Sequence, residues 1–131
     1  MTAVPEPHLE EEERHAFVKG VDEFNRGYFF ECHDTLEEMW TGLRGPQRDF
    51  FQGLIQVSVA FYHLDNGNRA GATSMLERAL KRFAKCPDRY FGFDLRAHRA
   101  ELEGWLVRIA DEALPPPPLA DVPKWRFEAT G

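Results

Sequence analysis

His33 and Glu37 lie four residues apart, with Trp40 three further on, in a segment from Phe24 to Ala72 that is otherwise rich in apolar residues. At helical spacing all three share one face, so an imidazole nitrogen and a carboxylate can meet a single target. A second polar set follows. Plotted at about 100° per residue, Arg48, Gln52, Gln56 and His63 fall within a sector of about 80°, while the rest of that circumference is apolar. Polar groups in such a setting cost free energy unless they are paired, so the pattern calls for either a hydrogen-bonded network or a site.

The chemistry open to these residues is metal ligation. His33 and Glu37 offer one nitrogen and one carboxylate, and His63 can add a second nitrogen from across an inter-helix seam. Two histidines and a carboxylate suit zinc or ferrous iron and leave positions for water, which opens hydrolytic or redox chemistry. The competing reading is structural: Glu37 pairs with Arg48, the histidines donate to glutamine and backbone oxygens, and the buried seam fixes the register of two helices. Residue spacing leaves both open. A metal-dependent hydrolase and a non-catalytic helical binding or scaffold module, engaging a peptide, a protein or a second copy of the chain, are the two functional classes that follow.

The elements that must position these groups are helices. Apolar positions from Leu9 to Phe24 predict a first helix, stopped by Asn25 and Gly27. Tyr28 to Leu43 forms the second, with Phe29, Cys32, Leu36, Met39, Trp40 and Leu43 on one arc and Gly42, Gly45 and Pro46 as its terminator. Phe50 to Leu64 is apolar on nearly every side, as a central buried helix is. Asn68 caps a fourth helix, with Ala72, Met75, Leu76, Ala79, Leu80 and Phe83 inward, and Asp94 caps a fifth, with Leu95, His98, Leu102, Trp105, Leu106 and Ile109 inward. Pro87 and Gly92 break the chain between them. Pro115 to Pro118 are expected to run extended and to bring Trp125 and Phe127 back onto the body, so that residues 114–131 form a proline-rich extension packed on a single domain spanning 1–131. An offset of forty superposes Gly27 on Gly67, Leu36 on Leu76 and Glu37 on Glu77. The fold class is therefore all-α, about five helices in one bundle of stacked hairpins, with repeat lengths like those of tetratricopeptide proteins.

Composition limits the alternatives. In 131 residues, 43% are hydrophobic, including eleven Phe and three Trp, which is enough for one core. A formal charge of −6, with acids crowded at Glu10 to Glu13, opposes a phosphate-binding surface and hence a nucleic-acid partner. Two cysteines, Cys32 and Cys86, without a CxxC spacing, indicate neither a disulfide framework nor a cysteine-rich zinc module, and a reducing cytoplasm fits. Neither a secretory leader nor an apolar run of membrane length is expected. Cys32, on the buried arc, is read as a small apolar residue, and His98 as a satisfied core group.

Several of these strings carry a resemblance. FNRGYFFECHDTLEEMW (Phe24 to Trp40), RDFFQGLIQVSVAFYHLDNGN (Arg48 to Asn68) and the pair Gly71–Ala72 resemble the bacterial and archaeal family DUF309, whose hallmark is HxxxExx(W/Y). His33, Glu37 and Trp40 fill that hallmark in order. The resemblance implies an all-helical, tetratricopeptide-like bundle, a His/Glu hallmark proposed to bind metal, and no established activity. Asp34 stands where relatives often carry Glu, and the proline-rich C-terminus lies outside the motifs.

Overall fold

The computed structural model describes residues 9–40 and 45–127, with the side chain of Trp40 and those of Gly45 and Pro46 outside the description. Five helices follow one another: α1 (Glu11–Asn25), α2 (Phe29–Trp40), α3 (Gly45–Asp65), α4 (Arg69–Phe83) and α5 (Leu95–Ala110). Each packs on the next, and the fold is all-α. Gly42 and Leu43, read as the end of the second helix, lie outside the described residues.

The two hairpins turn in the same way. Gly27 and Gly67 adopt φ of +84° and +77°, the left-handed region that glycine enters without a Cβ penalty. In the first turn the Tyr28 N–H donates to the Glu23 carbonyl at 2.8 Å and the Gly27 N–H to Phe24 at 3.0 Å. In the second, Asn68 donates to His63 at 2.8 Å and Gly67 to Leu64 at 3.0 Å. This pair of bonds satisfies the last carbonyls of each helix and reverses the chain. The forty-residue offset is thus a real repetition of backbone geometry.

Helix α3 occupies the centre. Phe50, Phe51, Leu54, Val57, Ala60 and Phe61 are all fully buried. Phe51 meets Phe17 of α1 edge-on at 5.5 Å, and Phe61 meets Trp105 of α5 at 5.2 Å, so successive stretches of α3 are covered by different helices. At roughly 1.5–3 kcal/mol for each large apolar side chain removed from water, this helix anchors the fold. It begins five residues before the expected Phe50. Gly45 and Pro46, read as a terminator of α2, belong to its first turn, where the amide that proline lacks has no intrahelical partner anyway.

Between α4 and α5 the break at Pro87 and Gly92 contains a two-residue hairpin, β1 (Arg89–Tyr90) and β2 (Phe93–Asp94), too short for any periodicity to show. Its two central residues, Phe91 and Gly92, have φ of +51° and +77°, as a type I′ turn requires. Phenylalanine is strained there. Ring contacts of Phe91 with Phe17 at 5.0 Å and Phe51 at 5.8 Å hold it in place. Asn68 and Asp94 cap α4 and α5 through bonds from Gly71 N–H at 2.9 Å and Ala97 N–H at 3.1 Å.

The end of α5 is closed by a residue forty positions away. The Arg69 guanidinium donates to the carbonyls of Arg108, Ile109, Asp111 and Leu114 at 2.8–3.1 Å. It thereby satisfies orphan carbonyls and places a cation at the negative end of the helix. Replacing Arg69 with methionine is expected to cost about 2 kcal/mol, read as a lower urea midpoint, and lysine should recover little because an ammonium cannot span four acceptors. Beyond α5 the chain runs through Pro115–Pro118 and a single 3-10 turn at Leu119–Asp121, then returns as expected. Trp125 stacks on Phe24 at 3.8 Å and Phe127 on Phe93 at 5.7 Å.

Candidate functional site

Helix α2 turns Cys32, Leu36 and Met39 into the core, which leaves His33 on its shoulder and Glu37 one turn further along. His33 Nε2 stands 3.1 Å from Glu37 Oε1, and His33 Nδ1 stands 3.6 Å from Asp34 Oδ1. The His33 side chain is 23% exposed, Glu37 50% and Asp34 59%. One ligand atom from each of His33, Asp34 and Glu37 falls within 4.8 Å of the others.

The two ring nitrogens face different acids, which divides the labour. A single ion cannot take both nitrogens of one imidazole. Nε2 and Glu37 are already spaced like two donors around one ion, which at metal–ligand bonds of about 2.0–2.2 Å lie about 3–3.5 Å apart. Asp34 Oδ1, 3.6 Å from Nδ1, lies just beyond hydrogen-bond distance; a small rotation lets it accept from Nδ1–H, which would fix that tautomer and make Nε2 a better ligand. Sequence reasoning noted Asp34 only as a departure from relatives. An acid next to a candidate histidine ligand was the signal to follow.

His63 takes a different position. It lies on α3 across a narrow slot from His33, its Nδ1 3.5 Å from the Asn68 amide nitrogen, and it is outside the group of mutually close ligand atoms. The slot holds about 130 Å³ and is lined by Phe30, His33, Val59, Tyr62 and His63. Helices α2 and α3 do pack together, and His33 and His63 do face a common space.

The seam is not buried throughout, which corrects the expectation. Glu37 is half exposed and Arg48 is exposed, Gln52 is half-buried, and only Gln56 is buried, its Oε1 without a hydrogen-bond partner. The physical reason is angular: His33 and Glu37 lie about 100° round the helix from Cys32 and Leu36, which fill the buried arc, so the polar shoulder tips towards solvent. The side chain of Trp40, the third hallmark residue, lies outside the described residues. Cys32 behaves as expected: fully buried, with burial pushing its thiol far above the ordinary range. Cys86 is raised to about 11, again mainly by burial.

A helical-hairpin protein with a histidine–carboxylate pair on an exposed shoulder is the class that fold and geometry define. Residues 17–75, which span α2, α3 and that pair, match the model of the family described as Domain of unknown function (DUF309). Two curated relatives are similar to this chain. An uncharacterized protein of Aquifex aeolicus (strain VF5) is 32% identical over 81 residues, covering 61% of this chain and 24% of the relative. The uncharacterized protein YpuF of Bacillus subtilis (strain 168) is 37% identical over 69 residues, covering 50% of this chain and 39% of the relative. The chain thus spans well under half the length of either.

Proposed function

We propose that this protein is a small helical module that binds a divalent metal, zinc or ferrous iron, through His33 Nε2 and Glu37, with Asp34 orienting the imidazole. The observation that carries the reading is the 3.1 Å approach of Nε2 to Glu37 Oε1 on an exposed face, with a carboxylate behind Nδ1. His63, the third ligand expected from helix geometry, lines the same slot as His33 but stands outside the group of mutually close ligand atoms. An ion with so few protein ligands keeps open positions and acts as a Lewis acid towards whatever fills them.

Equilibrium dialysis against zinc, with metal content measured on protein prepared without a metal-affinity column, tests this. Stoichiometric zinc is expected, with a melting temperature that rises on loading and falls with EDTA. Glu37→Ala should weaken zinc binding by tenfold or more. The same change should cost under about 1 kcal/mol of stability, because the pair it breaks is a half-exposed i,i+4 contact and not a buried one. Asp34→Asn should weaken binding about 10–100-fold with both ligands intact. His63→Ala decides whether a third ligand closes in. Absence of stoichiometric metal, with melting indifferent to EDTA, zinc and ferrous iron, would falsify the reading.

A second reading rests on a separate observation. Phe30 and Tyr62 are 47% and 38% exposed with their rings 5.4 Å apart on the α2–α3 surface, an aromatic patch of the kind that a protein or peptide partner covers. In that case the stacked hairpins act as a tetratricopeptide-like scaffold without catalysis. For either reading, the charge of −6 supports a partner other than nucleic acid, and two buried cysteines without a CxxC spacing support a reducing, cytoplasmic location. Among the described residues no helix is long and apolar enough to cross a membrane.

A further inference from the structure

We infer that the slot between α2 and α3 is a subsite for one small apolar group, a single ring or a short branched alkyl, on a ligand whose metal-chelating head sits over His33 and Glu37; this rests on the metal-binding reading above. Size decides what enters. At about 130 Å³ the slot is close to the engineered cavity of about 150 Å³ that accepts benzene, and well below the roughly 300 Å³ at which whole-ligand pockets begin. It takes a substituent, and the remainder of the ligand must lie outside.

The lining decides the chemistry. Phe30 and Tyr62 stand 5.4 Å apart, Phe30 and His33 5.9 Å, and Tyr62 and His63 6.1 Å, so four rings form a continuous wall with Val59. Both nitrogens of His33 are turned to carboxylates, which leaves the ring's carbon surface to the slot. Phe30 and Tyr62 remain exposed, the arrangement of an apolar subsite open to a ligand from solvent. His33 is the shared wall. A group seated against it has its attachment point within a few bonds of Nε2, where an ion held by two protein ligands has positions free for a bidentate head. Ligands of the hydroxamate, catechol or α-hydroxy acid type, with a small ring or branched tail, have this form.

Calorimetry on the full chain tests the assignment in two stages. Zinc alone is titrated first; the zinc-loaded protein is then titrated with benzohydroxamate and with acetohydroxamate. The two heads chelate free zinc alike, so any difference arises in the slot. Benzohydroxamate is expected to bind about tenfold tighter or more, from the burial of one ring. Val59→Phe should fill the slot and abolish that preference with zinc affinity unchanged, and Tyr62→Ala, at an exposed position that leaves the core intact, should reduce it. Zinc binding with equal hydroxamate affinities overturns the subsite alone. A preference that persists without zinc overturns the placement of the head. Failure of the first titration overturns the metal reading, and the subsite with it.

Discussion

Replacing Trp125 with alanine is expected to lower the unfolding free energy by about 3–5 kcal/mol, measured from the denaturant midpoint at constant m-value. The indole is 2% exposed and lies flat on Phe24, with centroids 3.8 Å and planes 5° apart. Its backbone is tied as well: the Trp125 N–H donates to Asn25 Oδ1 at 2.7 Å, and Asn25 Nδ2 donates to the Trp125 carbonyl at 2.9 Å. The returning segment is therefore part of the core and not an appendage. Trp125→Phe should retain most of the stability, since it keeps a stacked ring and discards an indole N–H that is buried with no partner. A midpoint unchanged in the alanine variant would show that the segment detaches in solution.

Acidification should expose the second large effect, at His98. This imidazole is 6% exposed on the inner face of α5, beside the Phe83 ring at 6.2 Å, and its Nε2 has no hydrogen-bond partner. Burial lowers its pKa from 6.5 to about 4. The direction of the pH effect follows. Above pH 6.5 the group is neutral in both folded and unfolded chains and stability is unaffected; between about 6.5 and 4 the unfolded chain binds the proton more readily, so stability falls as pH falls. The full loss is about 3 kcal/mol, reached below the folded value. Asp94, Glu101, Lys124 and Arg126 share the neighbouring cavity and titrate or carry charge of their own, so the comparison is with His98→Leu, which should show a flatter stability profile over the same interval. Parallel profiles would mean that His98 is solvated in the folded state. The expectation of a satisfied core histidine is corrected in one respect: the group is buried, and it is unsatisfied at Nε2.

What was legible in the sequence was what neighbouring residues dictate. Glycine at the two turns, the Asn68 and Asp94 caps and the all-round apolar character of α3 are local signals, and the structure bears each of them out. The extended course of Pro115 to Pro118 follows from proline's fixed φ, whereas the return of Trp125 and Phe127 was signalled only by their apolar character. Arg69 was opaque for the opposite reason: its acceptors lie at Arg108 to Leu114, and nothing near Arg69 marks it out. The Phe91–Gly92 turn was hidden because its first residue is held at positive φ by distant rings, not by its own preference. At the site, helical periodicity gave the correct face for His33 and Glu37. It gives an angle but no depth, so it could not say that Glu37 would be half exposed and Gln56 buried.

The repeated turn carries a consequence for where chemistry resides in this fold. Adding forty places Cys32 on Ala72, Leu36 on Leu76 and Met39 on Ala79, all buried, while His33 maps to half-buried Thr73 and Glu37 to exposed Glu77. The same scaffold is thus presented twice, with the carboxylate in both copies and the imidazole in one. Whatever the first hairpin binds is a property of a few side chains added to that frame, and α4 is a built-in negative control, a shoulder that keeps the carboxylate of Glu77 but has Thr73 in place of the imidazole, on which the same experiments should find nothing.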